Sequence, residues 1–128
     1  MVSLPNISCE IPLEQFLHDV VKSLGCRGLR YRSGGRPVRR VAVGGGACGE
    51  YIPQALAQGC DTFVTSDLRY NDFLDTQGLN LIDAGHFPTE DVVCAEVVRR
   101  LQKAFPDIRV SKSAVHHDAV QYYMTEGE

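Results

Sequence analysis

Between Ile11 and Gly25 the apolar residues Leu13, Phe16, Leu17, Val20, Val21 and Leu24 recur at helical spacing, while Glu14, Asp19 and Lys22 fall on the opposite face. An amphipathic helix is expected there, stopped by Gly25. Leu29–Arg32 is short and charged enough for an edge strand, and Ser33-Gly34-Gly35-Arg36-Pro37 is a turn by composition. Val38–Val43 and Thr62–Thr65 are β-branched apolar runs that predict buried strands, separated by a helix over about Glu50–Ala57. From Asp67 to Gly78 a short helix is expected, with Leu68, Phe73 and Leu74 inward and Asp72 and Asp75 outward. Leu79, Leu81 and Ile82 form a further strand. Val92, Val93, Ala95, Val97, Val98, Leu101 and Phe105 then mark the longest helix, with Arg99, Arg100 and Lys103 biased to its end and Pro106-Asp107 stopping it. Ile108–Val115 and Val120–Tyr123 are expected as closing strands, before a frayed tail at Thr125–Glu128. Alternating helices and strands predict one layered α/β domain over residues 1–128, with helices on a mixed or parallel sheet.

Composition narrows the function classes. The chain has 128 residues, 44% hydrophobic and 23% charged, enough to bury a core as one globular domain. Its net charge of -3 gives no general reason to bind nucleic acid or an acidic membrane. Arg27, Arg30, Arg32, Arg36, Arg39 and Arg40 do cluster, but no aromatic residues interleave with them for base stacking, and a charged edge is the simpler reading. No apolar run has the length of a bilayer span and the first residues lack a signal-peptide pattern, so a cytoplasmic location is expected. Cys9, Cys26, Cys48, Cys60 and Cys94 are odd in number and form no C-x-x-C pair, which reads as reduced thiols.

Candidate chemistry concentrates at Asn80–Glu90. An apolar segment ends there at polar residues, Gly85 allows a close turn, and Pro88 has the fixed φ of a first helical residue. His86 at the strand end and Glu90 in the first turn of the next helix would converge outside the sheet edge, where α/β proteins bind ligands and where a metal ion could sit. A second motif is Gly44-Gly45-Gly46-Ala47-Cys48-Gly49, a G-x-G-x-x-G run after a strand, with Asp67 downstream where a ribose-binding carboxylate would stand. It would cradle a pyrophosphate, or it is a close-packing glycine turn that shapes the pocket edge. The second reading is preferred.

The segment GLNLIDAGHFPTE, from Gly78 to Glu90, resembles the signature of the NIF3-like (DUF34) dinuclear metal-centre family, also described as GTP cyclohydrolase 1 type 2 homologs. VRRVAVGGGACG and GCDTFVTSDLRYND resemble that family's glycine segment and its TGD segment, in the same order. The resemblance runs from about Leu13 to Gln102 and covers only the C-terminal half of a two-half family. It implies that His86 and Glu90 ligate a pair of divalent ions (zinc, manganese or iron), two per complete site, with the rest supplied by an absent half or a neighbouring copy in a homo-oligomer. A metal-dependent hydrolase is the mechanism expected from it. Asp83 and Thr89 flank the two ligands and, with Asp67, are candidate supporting partners by position, while Gly44 and Gly46 would shape the pocket edge. For Asp67, helix N-capping is the competing role, and for Asp83, bracing of the turn. Ser66 and Asn71 stand where a glycine and a histidine are usual, and Asn71 cannot transfer protons near neutral pH. His116 and His117 are not carried over: the family's adjacent histidines belong to its other half, and neighbours on a strand face opposite ways. A nucleotide-binding module and a non-catalytic assembly protein remain the alternatives.

Overall fold

The computed structural model describes the backbone of residues 2–3 and residues 9–125 in full. Its contacts divide the chain into two compact units, one running up to Glu90 and one from Asp91. The first holds a five-stranded sheet. Three parallel strands form its middle, β3 (Val41–Ala47), β4 (Thr62–Ser66) and β5 (Asn80–Asp83), flanked by antiparallel β1 (Val2–Ser3) beside β3 and β2 (Arg30–Arg32) beside β5. The sheet is therefore mixed, and Arg30–Arg32 is the charged edge.

Register turns the sequence alternation into two layers. Ala42 pairs with Phe63 and Phe63 with Leu81, while Val43 pairs with Val64 and Val64 with Ile82, so each row points to one face. The first row packs with Ile52 and Ala55 of α2 (Ile52–Ala57), Leu68, and Phe73 of α3 (Tyr70–Asp75). The second packs with α1 (Leu13–Leu24) through Phe16, Leu17, Val20, Val21 and Leu24. Gly25 ends α1 at φ +67, donating its N–H to the Val21 carbonyl, as expected of a C-terminal glycine. Every residue of β4 and β5 is buried.

Several expectations need correction. The glycine run is not a loop: β3 continues through Gly44, Gly45 and Gly46 to Ala47, with a register irregularity between Val43 and Ala47 and Gly46 at φ +70. A strand template of β-branched residues misses a strand that ends in glycines. The helix after Asp67 starts only at Tyr70 and ends at Asp75, and it leaves Leu74 exposed. The next helix, α4 (His86–Asp91), begins two residues before Pro88, which sits in the first turn where its missing N–H is not required.

In the second unit α5 spans Val93–Ala104, twelve residues and so equal to α1 rather than longer. Glu96 is ion-paired to Arg99 and Arg100 along it, which holds the Glu96 carboxyl down to about 2. The strands expected at Ile108–Val115 and Val120–Tyr123 are absent, since residues 105–125 contain no strand. Alternation alone cannot make a strand without an edge to pair with. Instead the Gln102 side chain donates to the Ile108 carbonyl (2.8 Å) and accepts from the Val110 N–H (3.1 Å), and Lys112 pairs with Asp91 (2.7 Å). The rest of the expected frayed tail, residues 126–128, lies outside the described residues.

Candidate metal centre

The parallel strands β3, β4 and β5 end together, and their carboxyl ends deliver Gly46, Asp67 and the Asp83–Gly85 turn. His86 and Glu90 both lie on α4, so they share one helix face at i and i+4 rather than facing each other across a turn. His86 Nε2 is 3.2 Å from Glu90 Oε2, and both side chains are about half exposed. On the other edge of the ring, His86 Nδ1 is 2.5 Å from Asp67 Oδ2.

This arrangement sorts three groups into different roles. The two ring nitrogens point in opposite directions, so Asp67 and Glu90 cannot both share one ion with His86. A carboxylate on Nδ1 fixes the tautomer that leaves Nε2 unprotonated, which is how metal-binding histidines are commonly oriented. Nε2 and the Glu90 carboxylate then form a mixed nitrogen and oxygen pair suited to zinc, manganese or iron. The residues present fit such an ion as two of its ligands. Among the described residues no group of three or more His, Cys, Asp or Glu could hold a metal. The Asp67 hydrogen bond, followed by the charges of Glu90 and Asp67, raises the His86 pKa.

Asp67 is not the helix cap that the competing reading required, because the cap of α3 is Arg69, whose N–H is held by Asp72 Oδ2 (2.8 Å). Asp67 instead has φ +53, alone among the described non-glycine residues on the positive side. Aspartate tolerates this conformation better than most residues, and such strain often accompanies a functional position. Asp83 is occupied by the turn itself: Oδ2 accepts from Arg30 (2.5 Å) and the Leu68 N–H (3.0 Å), and Oδ1 from the Gly85 N–H (3.1 Å). Thr89 Oγ1 lies 2.9 Å from the Gly85 carbonyl and accepts from the Gly46 N–H (2.9 Å), tying α4 to the end of β3. Gly44 packs on Cys48 and Phe63, whereas Gly46 lies directly against His86 and Glu90.

The same bonds argue against a phosphate cradle. The Gly46 N–H is committed to Thr89, and the Cys48 N–H to Thr65 Oγ1 (3.1 Å). Asn71 lies on the wall of a cleft between α2 and α3 with Glu50, Arg69 and Asp72. His116 Nε2 is 3.5 Å from Asp91, and His117 Nδ1 meets the Val115 carbonyl at 2.9 Å, so both are occupied within the second unit. His18 is exposed on α1. Two contributors escape sequence reading. Thr65 Oγ1 donates to the Gly46 carbonyl (3.0 Å), and Arg30, stacked 5.3 Å over Phe73, holds Asp83. Arg30 was discoverable only as the cross-strand partner of Asp83, a pairing set by register.

A model of the Duf34/NIF3 (NGG1p interacting factor 3) family matches residues 2–119. A GTP cyclohydrolase 1 type 2 homolog of Staphylococcus aureus is 31% identical over 126 residues, which take in 93% of this chain and 34% of that protein. A solved Staphylococcus aureus structure superposes with a TM-score of 0.84 at 30% identity, covering 92% of this chain and 40% of that one. A Bacillus cereus protein related to NIF3 gives a TM-score of 0.80 at 33% identity, covering 92% of this chain and 34% of that one. The chain spans about a third of the length of the curated relatives it matches.

Proposed function

This chain belongs to the Duf34/NIF3 family, and on that premise we propose that it contributes His86 and Glu90 to the divalent-metal centre of a hydrolase. The observation that carries the reading is the pairing of His86 Nε2 with the Glu90 carboxylate at 3.2 Å while Asp67 holds Nδ1. When bound, the ions would lower the pKa of a water and polarise a phosphoryl or carbonyl oxygen. His86 and Glu90 bind, Asp67 orients the ring, and Asp83 and Thr89 brace the turn and helix that carry them.

A centre of two ions needs more ligands than this pair, since a catalytic zinc alone takes three protein ligands and a water. The remainder would come from further residues of a longer protein or from a neighbouring copy. The relatives' description as GTP cyclohydrolase 1 type 2 homologs makes a guanine nucleotide the first substrate to try, although a fold carries chemistry less reliably than it carries shape. A cytoplasmic setting is consistent with thiols at all five cysteines. In the protein with its complete site, His86→Ala is expected to remove metal and hydrolysis together. Stoichiometric metal in that variant would end the ligand assignment.

Association into a homo-oligomer, catalytic or purely structural, is supported by α5, where Val93, Val97 and Leu101 at i, i+4 and i+8 are all exposed. Light scattering tests this directly, and a strict monomer at all concentrations would count against it.

A further inference from the structure

Resting on the metal-centre reading above, we propose that Gly46 is the seat of the ligand pair: the missing side chain at this position lets the Glu90 carboxylate and the His86 ring close on each other at the end of β3. A Cβ built on Gly46 would fall on Glu90 Oε1 and lie 3.1 Å from Glu90 Cδ and 3.3 Å from His86 Cε1. The Glu90 carboxylate thus occupies the space of the absent methyl group, and the His86 ring borders it closely. The strand end cannot easily retreat. Its N–H is held by Thr89 Oγ1 (2.9 Å) and its carbonyl by Thr65 Oγ1 (3.0 Å), one anchored on α4 and the other on β4. Gly45 adds a backbone contact, since its Cβ would meet the Thr89 carbonyl oxygen at 3.0 Å and Glu90 Cγ at 3.7 Å.

Other glycines isolate the effect. Gly25 at φ +67 and Gly59 at φ +73 have nothing within 4 Å of a built Cβ, so their glycine identity serves the backbone alone. Gly46, at φ +70, has the same backbone demand and a filled space as well. A methyl group there is accommodated most readily by swinging the flexible Glu90 carboxylate away, because the backbone on both sides is pinned. The consequence is selective: the fold survives and the ligand pair opens. The second glycine of the G-x-G-x-x-G-like run therefore positions protein ligands where a phosphate cradle would leave room for a nucleotide.

The test compares the full chain with Gly46→Ala, Gly25→Ala and, as a milder variant that keeps ordinary φ, Gly45→Ala. Zinc(II) titration and crystal structures without metal are the two readouts. Gly46→Ala is expected to melt lower by about as much as Gly25→Ala, to bind zinc about tenfold or more weakly, and to show Glu90 turned away from His86 Nε2. Gly25→Ala should keep wild-type zinc affinity. Glu90 unmoved in Gly46→Ala, or zinc affinity unchanged, overturns the proposal. If Gly46→Ala does not fold, Gly45→Ala decides by the same two criteria, with a smaller expected loss. Zinc binding in the wild type that is indifferent to His86→Ala would instead fail the metal reading, and the Glu90 position alone would then judge the seat.

Discussion

Two carboxylates stand at opposite ends of β4, and their surroundings could hardly differ more. Asp61, just before the strand, is 4% exposed and accepts from the Arg39 N–H, the Arg40 N–H (2.8 Å) and Thr62 Oγ1 (2.8 Å). Asp67, just after it, has a 53% exposed side chain on a left-handed backbone, and it holds one imidazole nitrogen. At the amino end Asn80 completes the pattern, receiving the Gly34 N–H and donating to the Arg36 carbonyl and Thr62 Oγ1. The Asp61 carboxylate and the Asn80 side chain are thus held by the fold itself. At the carboxyl end Nε2 of His86 and the carboxylate of Glu90 lie 3.2 Å apart beside Gly46, on side chains that are about half exposed. The difference teaches where stability is kept and where binding capacity is left open.

The largest effect is expected from Asp61→Ala, which strands two backbone donors and a hydroxyl in the interior. It should cost about 3 kcal/mol in urea unfolding, since bonds to a buried charge are among the costliest to lose, and should leave metal affinity alone. Asp67→Asn is expected to do the reverse. It should move the unfolding midpoint little, because the pair is half exposed, and weaken zinc binding about tenfold by favouring the wrong imidazole tautomer. Equal effects of the two variants on both measurements would erase the distinction between the ends of the strand.

The smallest effect is a pH dependence. The folded pKa of His86 is raised, first by Asp67, so protonation of His86 favours the folded state. That contribution is complete below the unfolded value of about 6.5 and disappears as pH rises through the higher folded value. Melting curves of wild type and His86→Ala should therefore lie furthest apart in mild acid and converge in alkali. Zinc uptake should run the opposite way, rising as the proton leaves. Melting curves that diverge with increasing pH would reverse the sign of the argument.

Much of the scaffold was legible because periodicity and burial agree: α1 follows its apolar stripe and its glycine stop, and the rows Ala42–Phe63–Leu81 and Val43–Val64–Ile82 follow the strand alternation. The glycines of β3 were harder, since a run without side chains has no pattern to separate strand from loop. Ile108–Val115 alternates as a strand would but has no ladder, because pairing depends on an available edge. His86 and Glu90 were legible as residues, while their placement on one helix face depended on a helix start two residues before its proline. Asp67, Thr89 and Gly46 were legible as candidates, but what they touch was not. The roles of Thr65 and Arg30 were not legible, for they arise from contacts between strands and loops distant in sequence.

The most direct measurement is a zinc(II) titration of the full chain followed through the imidazole resonances of His86, with His86→Ala and Glu90→Ala alongside. The account predicts saturable perturbation at His86, carried by Nε2, with binding lost in both variants. Binding that persists unchanged in either variant would contradict it.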